Sequence, residues 1–364
     1  MAGTAARIGF VIDDLGYGGA QRQLSILLPA LVPHVAPHVF CLSHIDAPFG
    51  RALRDTGLPV ECIPRRSHVD LARLLALRRS LSRSGIDLVH GVLSASNVYA
   101  FLAAKMLKVP CVLSLRSDRI ILGRIKGGLL RYAYRRAQAV TANSHAGARY
   151  LAESVRVDQG RIVLLRNCIP PGFGAGAAAG KRGDSPVVGY VGRLTAEKRI
   201  PLLLEAFRLL SGTVQNVSLV LVGDGEATPS LRELANRLRL DRRVEFAGPA
   251  DDVAARMHRF DCLVLPSAFE GLPNAAAEAL LLGVPVVASR AGDVEDIVVD
   301  GKTGLLYDGE DASTLAGLIE RALTDRELRS SAAAEGPRLV RGIFSTERTV
   351  ADTLSLYRRL LARA

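Results

Sequence analysis

Apolar residues fall in short strand-like runs along this chain, and polar and apolar positions alternate at helical spacing between the runs. In the first half the runs are 8–12, 38–43, 60–63, 86–90, 111–116, 139–143 and 162–166. Helical patterns separate most of them, for example 20–31, 69–82, 96–107 and 145–154. This alternation predicts an α/β fold, a parallel sheet covered by helices. Residues 170–186, rich in Gly, Ala and Pro, read as a flexible linker. The pattern restarts at 187–191 and continues through 218–222, 244–247, 262–265, 285–288 and 305–307. Two doubly wound sheets are therefore expected, one in residues 1–169 and one in 187–345. In such sheets ligands bind beyond the carboxyl ends of the strands. A last helix spans about 346–362, within the final segment 346–364.

The length of 364 residues suits two domains, and 49% hydrophobic residues suffice for their cores. No apolar run is long enough to span a membrane. The first strand begins almost at the N-terminus, so no signal peptide is expected. The five cysteines, 41, 62, 111, 168 and 262, have no metal-ligand or disulfide spacing. That usage fits a reducing, cytoplasmic setting. The net charge of +11 is uneven. Residues 1–180 carry 23 Lys and Arg against 10 Asp and Glu, giving +13; residues 181–364 carry 24 against 26, giving −2. A basic first half implies an anionic partner. Nucleic acid is not expected, because no aromatic-rich binding motif accompanies the charge.

The most informative stretch is 266–285, PSAFEGLPNAAAEALLLGVP. It links two apolar runs and sets Glu270 in a loop and Glu278 about one turn into a helix. Pro273 suits a helix start and Gly283 a left-handed helix end. Helix-start N–H groups favour an anion, and carboxylates grip hydroxyls, so the pair suits a nucleotide-sugar. A second stretch, GYVGRLTAEK at 189–198, leaves a strand and enters a helix. Its Arg193 and Lys198 could face a leaving diphosphate; surface cations are the competing reading. A third, Gly16-Tyr-Gly18-Gly19-Ala-Gln21, follows the first strand and lets backbone approach a phosphate.

Glu270 and Glu278 match the E-x7-E motif, and residues 192–198 the G-R-L-x-x-x-K motif, of glycosyltransferase family 4. The chain thus resembles a retaining glycosyltransferase of the GT-B fold, two Rossmann-like domains facing across a cleft. The resemblance is specific at 192–198 and 266–308 and looser before residue 180. It implies an acceptor-side domain first, a nucleotide-sugar domain second, and a last helix returning to the first. By it, Glu270 serves the donor sugar and Glu278 the ribose. Arg193 and Lys198 face the diphosphate. Gly18, Gly19, Gly192, Gly248 and Gly271 line the donor with the backbone N–H groups of Leu272 and Asn274. The segments Asn143-Ser144 and Arg166-Asn167 match positions beside the cleft, and 222–226 and 246–248 resemble the family's loops around the donor's nucleoside. The family commonly has G-G-x-E where this chain has Gln21, and often a histidine where it has Arg116. Arg116 could hold an acceptor phosphate or pair with Asp118. His90 could line the same pocket or be structural.

The function this implies is transfer of a hexose or hexosamine from a nucleoside-diphosphate sugar, expected to be UDP-linked. The expected acceptor is a lipid-linked or phosphate-bearing saccharide of cell-envelope glycan synthesis. No metal and no cofactor beyond the donor are expected. Residues 119–136 carry six cations at helical spacing with apolar residues. They read as a surface for the anionic cytoplasmic membrane face, or as a helix packed on its domain. The alternatives are a soluble acceptor or a non-catalytic nucleotide-sugar-binding protein. A nicotinamide dehydrogenase is disfavoured, because Gln21 stands where the third fingerprint glycine belongs.

Overall fold

The computed structural model describes residues 5–64, 70–117, 119–120, 123–170, 172–174 and 185–363. Among them the chain forms two compact units, Met1–Cys168 with Phe344–Ala364, and Ile169–Ile343. The first unit holds strands β1 (Arg7–Ile12), β2 (Ala36–Cys41), β3 (Val60–Cys62), β4 (Leu88–Gly91), β5 (Cys111–Leu115), β6 (Ala139–Ala142) and β7 (Ile162–Leu164). All pair in parallel, in the order β3-β2-β1-β4-β5-β6-β7. The second holds β8 (Val187–Val191), β9 (Ser218–Val222), β10 (Val244–Gly248), β11 (Cys262–Leu265), β12 (Val286–Ser289) and β13 (Gly304–Tyr307). Their order is β10-β9-β8-β11-β12-β13, again parallel. Each strand lies within two residues of its predicted ends. The apolar runs are readable because both faces of these sheets are covered, which leaves no polar face to interrupt them.

The two faces of the first sheet carry separate cores, as the two-residue period of a strand requires. In β1, Ile8, Phe10 and Ile12 pack on one face with helix Gly19–Leu31, and Val11 packs on the other. The last helix, Thr346–Leu361, lies on the first of these faces through Val350, Leu354, Tyr357 and Leu360. Each buried aliphatic or aromatic side chain contributes about 1.5–3 kcal/mol, so this helix is an integral part of the first unit. The opposite face is covered by helices Leu71–Arg83, Ser94–Leu107, Arg124–Arg136 and His145–Glu153.

In the second unit, helices Ile200–Thr213 and Ala312–Thr324 pack against each other. Strand order reverses direction between β8 and β11, and in the first unit between β1 and β4. At such switch points the loops diverge and open a crevice beyond the strand ends. Residues 192–198 and 266–273 leave β8 and β11, so the two most specific motifs meet at one switch point. The glycine-rich loop leaves β1 at the other.

Candidate functional site

Glycines fix the platform in the second unit. A Cβ on Gly223 (φ +130°) would lie 2.0 Å from the Gly192 carbonyl oxygen, and one on Gly225 would lie 2.3 Å from that of Leu194. The loops after β8 and β9 therefore run backbone against backbone. Gly192 donates to Val222 at 3.0 Å and Leu194 to Asp224 at 3.0 Å. On the other side, a Cβ on Gly292 (φ +62°) would meet the Glu270 carbonyl oxygen at 2.2 Å. Asp293 donates to Gly271 at 2.9 Å, and Ala268 donates to Glu197 at 2.8 Å. Four strand-end loops are thus cross-linked through their backbones.

That platform presents an ion pair. Lys198 ends a short 3-10 turn, Ala196–Lys198, and its Nζ lies 2.5 Å from Glu270 Oε1. Both side chains are largely enclosed, 16% and 17% exposed. Ser267 Oγ donates to the same carboxylate oxygen at 2.8 Å. Arg193 is more open and pairs with Glu197 at 3.3 Å. The two cations predicted to bracket one point are therefore each held by a carboxylate. Glu278 lies in helix Asn274–Leu281 and is 5% exposed. Pro273 caps the helix start from just outside, and no side chain caps it. Gly283 follows the helix at φ +69°, as its position predicts. Leu272 is buried, so only its backbone could meet a ligand. Gly248 ends β10 at φ +68°, and its carbonyl accepts from Gly223 at 2.8 Å.

In the first unit, Gly18 and Gly19 open helix Gly19–Leu31. A Cβ on Gly18 would lie 2.2 Å from Gln21 Oε1. Gln21 Nε2 donates to Asp14 Oδ1 at 2.9 Å, and that oxygen also accepts from Gly16 N. A glutamate at 21 would set two carboxylates together here; the amide makes the clasp attractive. Arg116 follows β5 and donates from Nη1 to Asn167 Oδ1 at 3.1 Å. Its Nε is buried without a partner, and burial pulls its pKa below the usual value. Among the described residues no carboxylate forms an ion pair with it; Asp118, its candidate partner, lies outside them. Asn143 Oδ1 is also buried without a partner.

His90 does not line a pocket, which corrects its acceptor-side reading. It is 2% exposed, and both ring nitrogens are committed, Nδ1 to Tyr357 Oη at 2.6 Å and Nε2 to Ser114 Oγ at 2.8 Å. Its ring stacks on Phe10 at 5.3 Å. Burial, with Arg116 nearby, pulls its pKa down to about 3, so it is neutral.

Several residues that build the site carried no signal in isolation. Gln23 ties helix Gly19–Leu31 to the loop after β7 by two bonds to Cys168. Asp13 caps helix Ser94–Leu107 from another loop, accepting from Ser96 N at 2.5 Å. Ser267 had one usable cue, its place three residues before Glu270 in the same loop.

Among the described residues no group of three or more His, Cys, Asp or Glu side chains could hold a metal ion. None of their helices is long and apolar enough to cross a membrane.

The sequence profile described as "Glycosyltransferase Family 4" matches residues 17–191, and that described as "Glycosyl transferases group 1" matches residues 177–338. The chain is 37% identical over 164 residues to the lipopolysaccharide core biosynthesis glycosyltransferase LpsE of Rhizobium meliloti, covering 45% of this chain and 47% of that protein. It is 30% identical over 307 residues to the 2-deoxystreptamine N-acetyl-D-glucosaminyltransferase of Streptomyces fradiae, covering 76% and 72%. The chain spans about half the length of several other relatives it matches. Its fold is similar to that of HepE from Anabaena, solved in complex with UDP-glucose, with a TM-score of 0.85 at 22% identity over 96% of this chain and 99% of that one. With both sheets doubly wound, the motif loops gathered at a switch point and a relative matched over most of its length, the chain belongs to the family 4 glycosyltransferases of the GT-B fold.

Proposed function

We propose that this protein is a retaining transferase that moves a hexose or hexosamine from a UDP-sugar to an acceptor hydroxyl. The observation that carries the reading is the enclosed Lys198–Glu270 pair at the β8/β11 switch point. It sets a cation for a diphosphate beside a carboxylate for sugar hydroxyls. UDP-glucose bound to HepE and the N-acetylglucosaminyl transfer named for the Streptomyces relative support the donor class.

In this mechanism Arg193 and Lys198 stabilise the charge that develops on the departing diphosphate, the part a metal plays elsewhere. The backbone N–H groups of Leu272 and Asn274 add to it. The acceptor oxygen attacks the anomeric carbon from the face the phosphate is leaving. The carbon–phosphate-oxygen bond breaks as the new glycosidic bond forms, and the acceptor proton passes to a phosphate oxygen. No protein nucleophile is used, and configuration is kept. Glu270 accepts hydrogen bonds from the sugar and Glu278 from the ribose. Removing one such electrostatic group costs about 10²–10³ in rate.

The acceptor is an anionic, lipid-linked saccharide of the cell envelope. The Arg116 guanidinium, its Nε buried and no carboxylate paired with it among the described residues, supports a negative charge on the acceptor, and the lipopolysaccharide role named for LpsE supports its class. The protein works at the cytoplasmic membrane face. Helix Arg124–Arg136 supports this: it leaves Ile125 90% exposed, with Leu129 and Tyr132 also exposed on a basic unit.

The test is donor turnover by the full chain with UDP-, GDP- and ADP-sugars in excess chelator, with the product's anomeric configuration read by NMR. UDP release and an α-linked product from an α-linked donor are expected. Binding of UDP-sugars without any turnover on envelope lipid extracts would favour a non-catalytic binding protein. Full loss of turnover with chelator, restored by a divalent ion, would overturn the metal-free mechanism.

A further inference from the structure

Arg116 lies at the carboxyl edge of the first sheet; a second cluster of cations lies at its opposite edge. There the residues preceding β5, β6 and β7 meet the C-terminal ends of helices Ser94–Leu107, Arg124–Arg136 and Thr346–Leu361. They line an open cavity of about 730 Å³ that includes Lys105, Lys108, Arg136, Arg161 and Arg363 and, among the described residues, no carboxylate. From Cys111 to Arg116 is roughly 16 Å at about 3.3 Å per strand residue, so the cavity is remote from Arg116, the proposed acceptor contact.

Some positive charge belongs at this edge on structural grounds alone. A helix C-terminus carries about half a negative charge, and three of them together about −1.5. Arg161 accounts for part of the compensation, since its Nη1 donates to the carbonyls of Arg135 and Ala137 at 2.9 and 3.2 Å. The other four cations exceed what the helix ends require. The side chains of Lys105, Lys108, Arg136 and Arg363 form no ion pair among the described residues. One wall is aromatic: Tyr132 meets Phe101 edge-on at 6.0 Å, and the Arg136 guanidinium carbon lies 5.9 Å from the Tyr132 ring centroid.

We infer that this cavity binds a phosphate-bearing anion at a site separate from donor and acceptor. A surplus of more than two positive charges suits a multivalent phosphate better than a single carboxylate, and the guanidinium of Arg136 can grip it with two parallel bonds. The phosphate could belong to a soluble diphosphate or to a lipid headgroup. Tyr132 also belongs to the exposed stripe Ile125, Leu129, Tyr132, which brings an apolar surface to the cavity rim.

The experiment uses the full chain carrying Lys198→Ala, held in saturating UDP, so that the proposed donor site contributes little. Inorganic pyrophosphate is titrated by calorimetry. Co-sedimentation is measured in parallel with phosphatidylglycerol and phosphatidylcholine vesicles. The comparison protein adds K105Q, K108Q and R136Q, all at exposed positions. Saturable pyrophosphate binding, at least tenfold weaker in the comparison protein, supports a soluble ligand. Selective phosphatidylglycerol binding, lost in the comparison protein, supports a headgroup. Either result stands whether or not sugar transfer is found. No binding of either probe, or equal binding by both proteins, overturns the inference.

Discussion

Replacing Glu270 with Gln tests the ion pair at the centre of the site. Gln keeps the shape and an oxygen for Ser267 Oγ, so the change isolates the charge. Losing one partner of a fully buried pair costs about 3–5 kcal/mol, while an exposed pair is worth about 0–1. With the two side chains 16% and 17% exposed and 2.5 Å apart, the pair lies nearer the buried case. Glu270→Gln should therefore cost about 2–3 kcal/mol in urea unfolding without ligand. The freed Lys198 ammonium then has only the nucleotide to answer it. UDP should bind the variant at least as tightly as the wild type, by up to about tenfold for each 1.4 kcal/mol regained, and should restore part of the lost stability. Transfer should nonetheless fall by about 10²–10³, because the sugar loses its carboxylate. Calorimetry with UDP, unfolding with and without UDP, and coupled UDP release measure the three quantities. The double variant with Lys198→Met should cost less than the sum of the two single changes. The reasoning fails if UDP affinity falls in step with turnover, or if the two costs simply add.

Three further outcomes follow from other parts of the molecule. Arg116→Gln should raise KM for an anionic acceptor more than tenfold and leave UDP binding unchanged, with only partial recovery in Arg116→Lys, which lacks the fork; equal loss with a neutral acceptor would refute the role. His90 is neutral when folded, with a pKa near 3 against 6.5 for an ordinary histidine, so the unfolded chain binds more protons between those values and stability falls as pH drops below 6.5. From pH 7.5 to 5.5 the wild type should lose about 1.4 kcal/mol more than His90→Gln in urea unfolding, and parallel pH profiles would refute the assignment. Gly292→Ala combines a left-handed backbone with a Cβ 2.2 Å from the Glu270 carbonyl oxygen, so it should cost about 3 kcal/mol and depress transfer by moving Glu270; a wild-type Tm and rate would show that the loop yields freely.

The strands were readable because covered parallel strands are apolar on both faces. The E-x7-E spacing was readable because one loop and one helix turn carry it. Pairings across the chain were not. Lys198 and Glu270 are 72 residues apart, and neither motif implies that they neutralise each other. Gln21 read only as a departure from the family's acidic position; its amide is what lets it stand beside Asp14. His90 shows the limit most clearly. Its place at a strand end suggested a cleft, yet β4 has a two-residue period, so His90 shares a face with Leu88. That face is the one covered by helix Thr346–Leu361, whose Tyr357 takes the imidazole from 267 residues away. Parity alone could have aimed His90 away from the edge, but only knowledge of where the last helix packs could name its partner. Arg116 differs because it stands one residue past β5, where sheet parity no longer dictates direction, and its Nη1 reaches Asn167 in another loop. A charged side chain just beyond a strand is thus a better candidate for ligand contact than a titratable one within it.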